Sequence, residues 1–182
     1  MNAVECIRGR RSVREYTEQD ISSQTLREVI ETSSFAPSWK NSQTVSYVAV
    51  KNPELKNRIA QYGVMGFTPN MHRVTDCNVL MVVVTQKGVC GYNDDGTPTT
   101  SKGSHWESFD AGIATQTLCL AAHEKSIGSV ILGIYDEKAV AEILGIDLNV
   151  FGISALVAMG YTDSEPRAPR RRSVDDLLTV ID

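Results

Sequence analysis

Hydrophobic positions along this chain follow two rhythms, one near 3.6 residues and one near two. Val4 and Ile7 share a face in residues 2–8, which predicts a short opening helix. Ser22 has N-cap chemistry, and Ile21 and Leu26 stand around it at hydrophobic-staple spacing. Leu26, Val29 and Ile30 then give a second helix an apolar face to about Ser33. Residues 36–43 are polar and contain Pro37, so a loop is expected, and Val45 to Val50 reads as a strand. Pro53 suits the first turn of a helix running to about Tyr62.

The second half repeats the alternation. Asn78 to Thr85 is apolar on both faces, the pattern of a central strand. Residues 87–104 form a long Gly/Asp/Thr/Pro loop, and loops of that length in compact domains are often functional. His105 to about Lys125 reads as helix, apolar nearly all round between Ala111 and Ala122 and therefore expected to be buried on most sides. Ser129 to Ile134 predicts a strand, Asp136 to Leu144 a helix, and Ile153 to Tyr161 a last strand. Strands and helices interleave without internal repeats or a dividing linker. The expected class is α+β, a small sheet sandwiched by helices, with residues 1–182 as one domain.

Composition narrows the function classes. At 182 residues the chain can bury roughly 70% of its unfolded surface, enough for a core without staples. The 42% hydrophobic and 22% charged fractions are ordinary for a soluble protein. A net charge of −4 argues against a general electrostatic grip on nucleic acid or acidic membrane. Cys6, Cys77, Cys90 and Cys119 show no CxxC and no pairing rhythm, so they read as buried or free thiols in a reducing compartment. Cys77 and Cys119 are expected as small buried hydrophobes. His72, His105 and His123 lack metal-ligand spacing, and no metal is expected. The opening residues carry no signal-peptide pattern, and the longest apolar run, Val79 to Val84, is far short of a membrane span. A cytoplasmic protein is the expectation.

The arginines are less ordinary. Arg8, Arg10, Arg11 and Arg14 cluster near the start, and Arg167, Arg170, Arg171 and Arg172 near the end. These two stretches hold eight of the eleven arginines and none of the seven lysines. A guanidinium fork binds carboxylate or phosphate bidentately, which an ammonium does not. Two such clusters in an acidic protein point to one shared anion, the plainer reading being two solvated chain ends.

No GxSxG, HExxH, GxxxxGK[ST] or GxGxxG is present, so a bound cofactor is the expected source of any chemistry. Arg10-Arg11-Ser12-Val13-Arg14-Glu15-Tyr16 resembles the opening motif of the nitroreductase family of FMN-dependent oxidoreductases. Ala36-Pro37-Ser38-Trp39-Lys40-Asn41-Ser42-Gln43 resembles that family's Ala-Pro-Ser-x-x-Asn-x-Gln loop. Asp110, Gly112, Gln116, Leu120-Ala121-Ala122 and Ile127-Gly128-Ser129 are similar to its central segment. Leu144-Gly145-Ile146, Met159-Gly160-Tyr161 and the basic tail complete the order across nearly the whole chain.

The resemblance implies a nitroreductase-like fold with a small mixed or antiparallel sheet, and a homodimer with intertwined termini and FMN at the interface. Arg10 and Ser12 would hold the phosphate, with Arg11 nearby and Arg170 and Arg172 closing on it from the tail. Arg14 would sit beside flavin N1 and O2. Pro37, Ser38 and Trp39 would reach the flavin from the partner subunit, while Asn41 and Gln43 anchor that loop or touch the ring. Ile131, Leu132 and Gly133 would cover one flavin face, with a backbone N–H near N5. The implied activity is ping-pong hydride transfer from NADH or NADPH to an electron-poor acceptor such as a nitroaromatic or quinone. A non-catalytic FMN-binding or storage protein, or another flavin chemistry such as reductive dehalogenation or flavin breakdown, is the alternative.

Departures and plainer readings stand beside these. The loop motif runs on as Gln43-Thr44-Val45 rather than Pro and an aromatic, and Leu132-Gly133 replaces a Gly pair. The 87–104 loop matches nothing in the family pattern and is expected to shape the substrate pocket. Ser12 could cap a turn, Trp39 could be an interface aromatic, and Asn41 could fix the loop through an Asx turn. Arg171 alternates with its neighbours and is expected to face solvent.

Overall fold

A computed structural model describes residues 1–181; Asp182, the last residue of the expected domain, lies outside the described residues. Four strands, β1 (Val45–Val50), β2 (Val79–Gln86), β3 (Gly128–Leu132) and β4 (Phe151–Gly160), form one antiparallel sheet in the order β1-β2-β4-β3. Among the described residues six α-helices surround it: α1 (Ala3–Gly9), α2 (Ser23–Ser33), α3 (Pro53–Arg58), α4 (Thr68–Asp76), α5 (His105–Glu124) and α6 (Glu137–Leu144). No described helix is long and apolar enough to cross a membrane.

The central strand explains the sandwich. In β2, every residue from Val79 to Thr85 is buried, and successive side chains enter opposite cores because strands alternate. Leu80, Val82 and Val84 pack with Ile59, Val74 and Val140 beneath α3, α4 and α6. Val79, Met81 and Val83 pack with Val29, Leu118 and Ile127 beneath α2 and α5. A register shift opposite Val83 and Val84 leaves Ser154 extra in β4, sending Ile153 to the first core and Ala155 to the second. Burying each of these large side chains is worth about 1.5–3 kcal/mol, so β2 anchors both halves.

Several elements form where the sequence places them. Ser22 caps α2 by accepting from the Thr25 amide at 3.0 Å, and Ile21 and Leu26 of the staple are buried together. Other elements differ from the expectation. The helix expected to reach Tyr62 ends at Arg58 and passes into a π turn, Ile59–Gly63. β3 stops at Leu132 instead of Ile134, because the Ile134 carbonyl accepts from Asn70 Nδ2 at 3.0 Å rather than pairing with β4. α4 was not expected; its Pro69 lies in the first turn, where a missing N–H costs nothing. α5 is also less enclosed than expected, since Phe109, Gly112 and Gln116 leave one stripe open.

The two ends of the chain are joined beside β4. Asn78 donates to the Thr17 carbonyl at 2.9 Å and accepts from the Tyr161 amide at 3.1 Å, while the Thr17 amide donates to the Tyr161 carbonyl at 2.8 Å. Tyr16 lies over Gly160, where a Cβ would fall 2.7 Å from its ring. The Tyr16 hydroxyl sits between the carbonyls of Val13 and Ala158, at 2.9 and 3.0 Å, and donates to one at a time. Residues 162–181 run on without helix or strand.

Candidate functional site

The clamp at Asn78 fixes where the arginines go. Residues 10–15 pass along the free edge of β3, with Ser12 bridged to Ser129 and the Val13 amide donating to the Ser129 carbonyl at 3.0 Å. The tail returns alongside. Between them lies a cleft of about 660 Å³ lined by Arg10, Arg11, Ser12, Arg14, Ser164, Arg167 and Arg171. Pro166, Pro169 and the carboxylates of Glu15 and Glu165 complete its wall.

Arg167 and Arg171 line the cleft, while Arg170 and Arg172 of the expected pair lie outside its lining. An extended chain presents alternate residues to one side, so 167, 169 and 171 share a face. Arg171 was expected to face solvent; it remains exposed, yet on the cleft side. Arg172 instead donates to the Asp176 carbonyl.

The remaining cationic residues divide their work. Arg11 Nη1 donates to the carbonyls of Arg8 and Arg10, at 2.5 and 2.9 Å, satisfying acceptors left open at the end of α1. Arg14 Nη1 holds the Ser12 carbonyl at 3.1 Å. Behind the cleft a smaller cavity of about 250 Å³ is lined by Arg10, Arg11, Ser129, Ser164 and His123. The buried His123 Nε2 has no hydrogen-bond partner among the described residues, and burial, then Arg10 and Arg11, hold this imidazole below its usual range.

Asn70 and Arg73 on α4 join this region. Asn70 accepts from Arg73 Nη1 at 2.8 Å, and Arg73 and Arg14 both act electrostatically on Tyr16. Burial outweighs them and pushes the Tyr16 phenol well above its ordinary range. The sequence signal for the pair was slight, an i, i+3 spacing behind Thr68-Pro69. Of Ile131, Leu132 and Gly133, only the first and last are exposed. Strand alternation puts the Leu132 side chain in the core, so only its backbone is available to a ligand.

The 36–43 loop lies elsewhere in the same chain. Pro37, Ser38 and Gln43 line a groove of about 880 Å³ with Leu26 and Ile30 of α2, Tyr47 of β1 and Asp110 of α5. A one-turn 3₁₀ helix, Trp39–Asn41, shapes the loop, and Ser38 Oγ closes it by accepting from the Gln43 amide at 3.1 Å. Lys40, Asn41 and Gln43 have φ of 47°, 57° and 50°. Asparagine tolerates that conformation, but at Lys40 and Gln43 it costs about 1–2 kcal/mol each, so the loop is held rather than relaxed. The Trp39 amide donates to Asp110 Oδ2 at 2.7 Å, and its ring packs on Trp106 with centroids 4.7 Å apart. The 87–104 loop reaches this cluster through Thr100, which accepts from Trp106 Nε1 at 2.8 Å.

An antiparallel sheet between two helical layers, with an arginine-lined cleft between the early and late segments of the chain, defines an α+β architecture. The chain belongs to the nitroreductase family, whose family model matches residues 7–70 and 67–161. A protein of Archaeoglobus fulgidus is 28% identical over 160 residues, covering 86% of this chain and 83% of its own. The NADPH-flavin oxidoreductase of Vibrio harveyi is 27% identical over 176 residues, 93% of this chain and 70% of that protein. A protein of Exiguobacterium sibiricum solved in complex with FMN superposes with a TM-score of 0.83 at 18% identity, covering 98% and 97% of the two chains.

Proposed function

We propose that this protein is an NAD(P)H-dependent FMN oxidoreductase acting as a homodimer. The observation that carries the reading is the convergence of Arg10, Arg14, Arg167 and Arg171 on one cleft with Ser12 and Ser164. That donor set fits a phosphate monoester: several guanidinium groups for a dianion, two hydroxyls and a nearby strand edge. Among relatives, the Vibrio harveyi protein is named for flavin and NADPH, and the Exiguobacterium sibiricum structure contains FMN.

In this reading Arg10, Ser12, Arg167 and Arg171 bind the phosphate, with Arg11 shaping the turn and Arg170 and Arg172 supplying charge from the tail. Arg14 places a cation beside the pyrimidine edge. Ile131 and Gly133, with the Leu132 backbone, present the surface against which the ring lies. Bound FMN would supply two-electron chemistry, taking a hydride from NAD(P)H and passing it in a ping-pong sequence to an electron-poor acceptor such as a nitroaromatic or quinone. No side-chain acid or base is required of the protein, which contributes orientation and charge.

The dimer follows from what one subunit leaves open. Pro37, Ser38, Trp39, Asn41 and Gln43 do not line the arginine cleft of their own chain. If they serve a cofactor, it is the partner's. Val174, Leu177, Leu178, Val180 and Ile181 in the tail are each at least 60% exposed, an apolar surface that a second copy would cover. A cytoplasmic setting suits four free cysteines.

Purified protein tests the reading directly. A yellow protein that releases FMN on denaturation, and whose flavin absorbance bleaches with NADH or NADPH under nitrogen, supports the oxidoreductase. Bound FMN that neither nicotinamide bleaches favours a flavin-binding protein without this activity. A colourless protein with no affinity for FMN overturns the cofactor assignment.

A further inference from the structure

α5 carries a buried carboxylate that the reading above leaves unused. Asp110 is 3% exposed, and its Oδ2 accepts from the Trp39 amide at 2.7 Å and from the Cys90 thiol at 3.0 Å. Among the described residues its carboxylate forms no ion pair with a lysine or arginine. A carboxylate out of water without a cation is stabilised by the donors fixed around it, here one amide and one thiol. Burial, then the bond and charge of Asp110, push the Cys90 thiol up to about 12, so the sulfur is the donor.

Trp39 is attached to α5 at two points. Its amide meets Asp110 and its ring meets Trp106, four residues earlier and on the same helix face. Trp39 Nε1 is buried without a partner among the described residues, so none of them anchors the ring through a polar bond. Just beyond come Lys40, Asn41 and Gln43, all with positive φ. Released from α5, these residues would relax toward ordinary backbone conformations, and the loop would change shape.

We propose that Asp110 is a positioning residue for the cofactor site: it holds the Trp39 amide from α5 and keeps the strained 36–43 loop in the shape that meets the partner subunit's cofactor. Cys90 grips the same oxygen and ties the 87–104 loop to this latch. The role rests on the FMN dimer proposed above. It makes Asp110 of one subunit act on the site whose arginines belong to the other.

FMN binding to the full-length apoprotein, followed by flavin fluorescence quenching, tests it with Asp110→Ala, Asp110→Asn and Arg10→Ala. Asp110→Ala is expected to weaken FMN binding by about tenfold or more, the scale of a lost hydrogen bond to a charged group. Asp110→Asn keeps an acceptor oxygen for the Trp39 amide and should recover part of the loss. It carries the comparison if Asp110→Ala does not fold. Near-UV circular dichroism of the apoproteins should lose the signal of the Trp39–Trp106 pair while the thermal midpoint falls less than FMN affinity.

Mixed dimers of Asp110→Ala and Arg10→Ala separate the role from its premise. Acting across the interface, one site carries both lesions and the other none, so about half of the wild-type FMN sites return, which a general loss of stability would not produce. Weakened binding in Asp110→Ala with no recovery in mixtures supports positioning within one subunit and overturns the cross-subunit role. Wild-type FMN affinity in folded Asp110→Ala overturns the positioning role while leaving the cofactor reading intact. Wild-type protein that takes no FMN overturns both.

Discussion

Val13 occupies the space that a side chain on Gly128 would need: a Cβ built on Gly128 falls 2.7 Å from Val13 Cβ and Cγ1. This approach lets the Arg10–Arg14 segment lie against β3, with Ser12 bridged to Ser129. Gly128→Ala must therefore push the segment off the strand edge. The expected cost is about 1–3 kcal/mol of stability, as for other insertions into a packed interior. Urea denaturation measures that cost, and FMN affinity should fall with it.

The tail arginines provide a contrast within one segment. Arg171 and Arg167 line the cleft, whereas Arg172 is engaged with Asp176. Each charge-assisted bond to an anion is worth roughly 1.5–3 kcal/mol. Arg10→Ala and Arg171→Ala should each weaken FMN retention by about tenfold or more, and Arg172→Ala by clearly less. Fluorescence titration after extensive dialysis at high salt ranks them. Equal losses at 171 and 172 would refute the assignment of faces.

His123 gives the cleft a pH signature. Burial and the charges of Arg10 and Arg11 favour its neutral form in the folded protein. The unfolded imidazole titrates near 6.5, so below that pH the unfolded state binds more protons and stability falls as pH falls. His123→Gln should flatten the loss between about pH 7 and pH 5. Sulfate in the cleft would offset the arginine charges and shrink the wild-type loss. Thermal midpoints against pH, with and without sulfate, check both effects.

Arg14 is expected to tune rather than hold. Its guanidinium is exposed and tied to the Ser12 carbonyl, which fixes a cation near the cleft mouth. A preorganised cation favours the more negative, reduced cofactor. If the difference is roughly 1–3 kcal/mol, Arg14→Gln lowers the two-electron midpoint by about 20–60 mV. A dye-equilibrated reductive titration reads this, and an unchanged potential would leave Arg14 as a binding residue only.

The apolar tail makes its own prediction. Leu177 and Leu178 are exposed, so Leu177→Asp with Leu178→Asp should weaken the proposed dimer. Light scattering coupled to gel filtration is expected to give twice 20.0 kDa for the wild type and a shift toward the monomer for the variant. A flavin-loaded wild-type monomer would count against the shared interface.

Much of the architecture was legible because it depends on local pattern. Ser22 with Ile21 and Leu26 announced α2, and the unbroken Val79–Val84 run announced a strand buried on both faces. Both arginine stretches were visible as composition. Which tail arginines face the cleft was not, because an extended segment has two faces and only its neighbours decide between them. α4 was hidden because its start carries no side-chain cap, with Phe67 at the N-cap and Pro69 in the first turn reading as a break. The Trp39–Asp110 bond joins residues 71 positions apart through a backbone amide, which leaves no trace in side-chain pattern.

The Asn78 clamp also sets an order of events during synthesis. Thr17 is made early and Tyr161 late, and Tyr161 directly follows β4, which pairs with β2 and β3. Contacts of such sequence separation form slowly and only once both partners exist. The arginines at 10 and 14 therefore leave the ribosome long before their counterparts at 167 and 171, and a chain halted short of Arg171 has half a cleft. The cleft is whole only in a chain made through Arg171 and folded back against its own beginning.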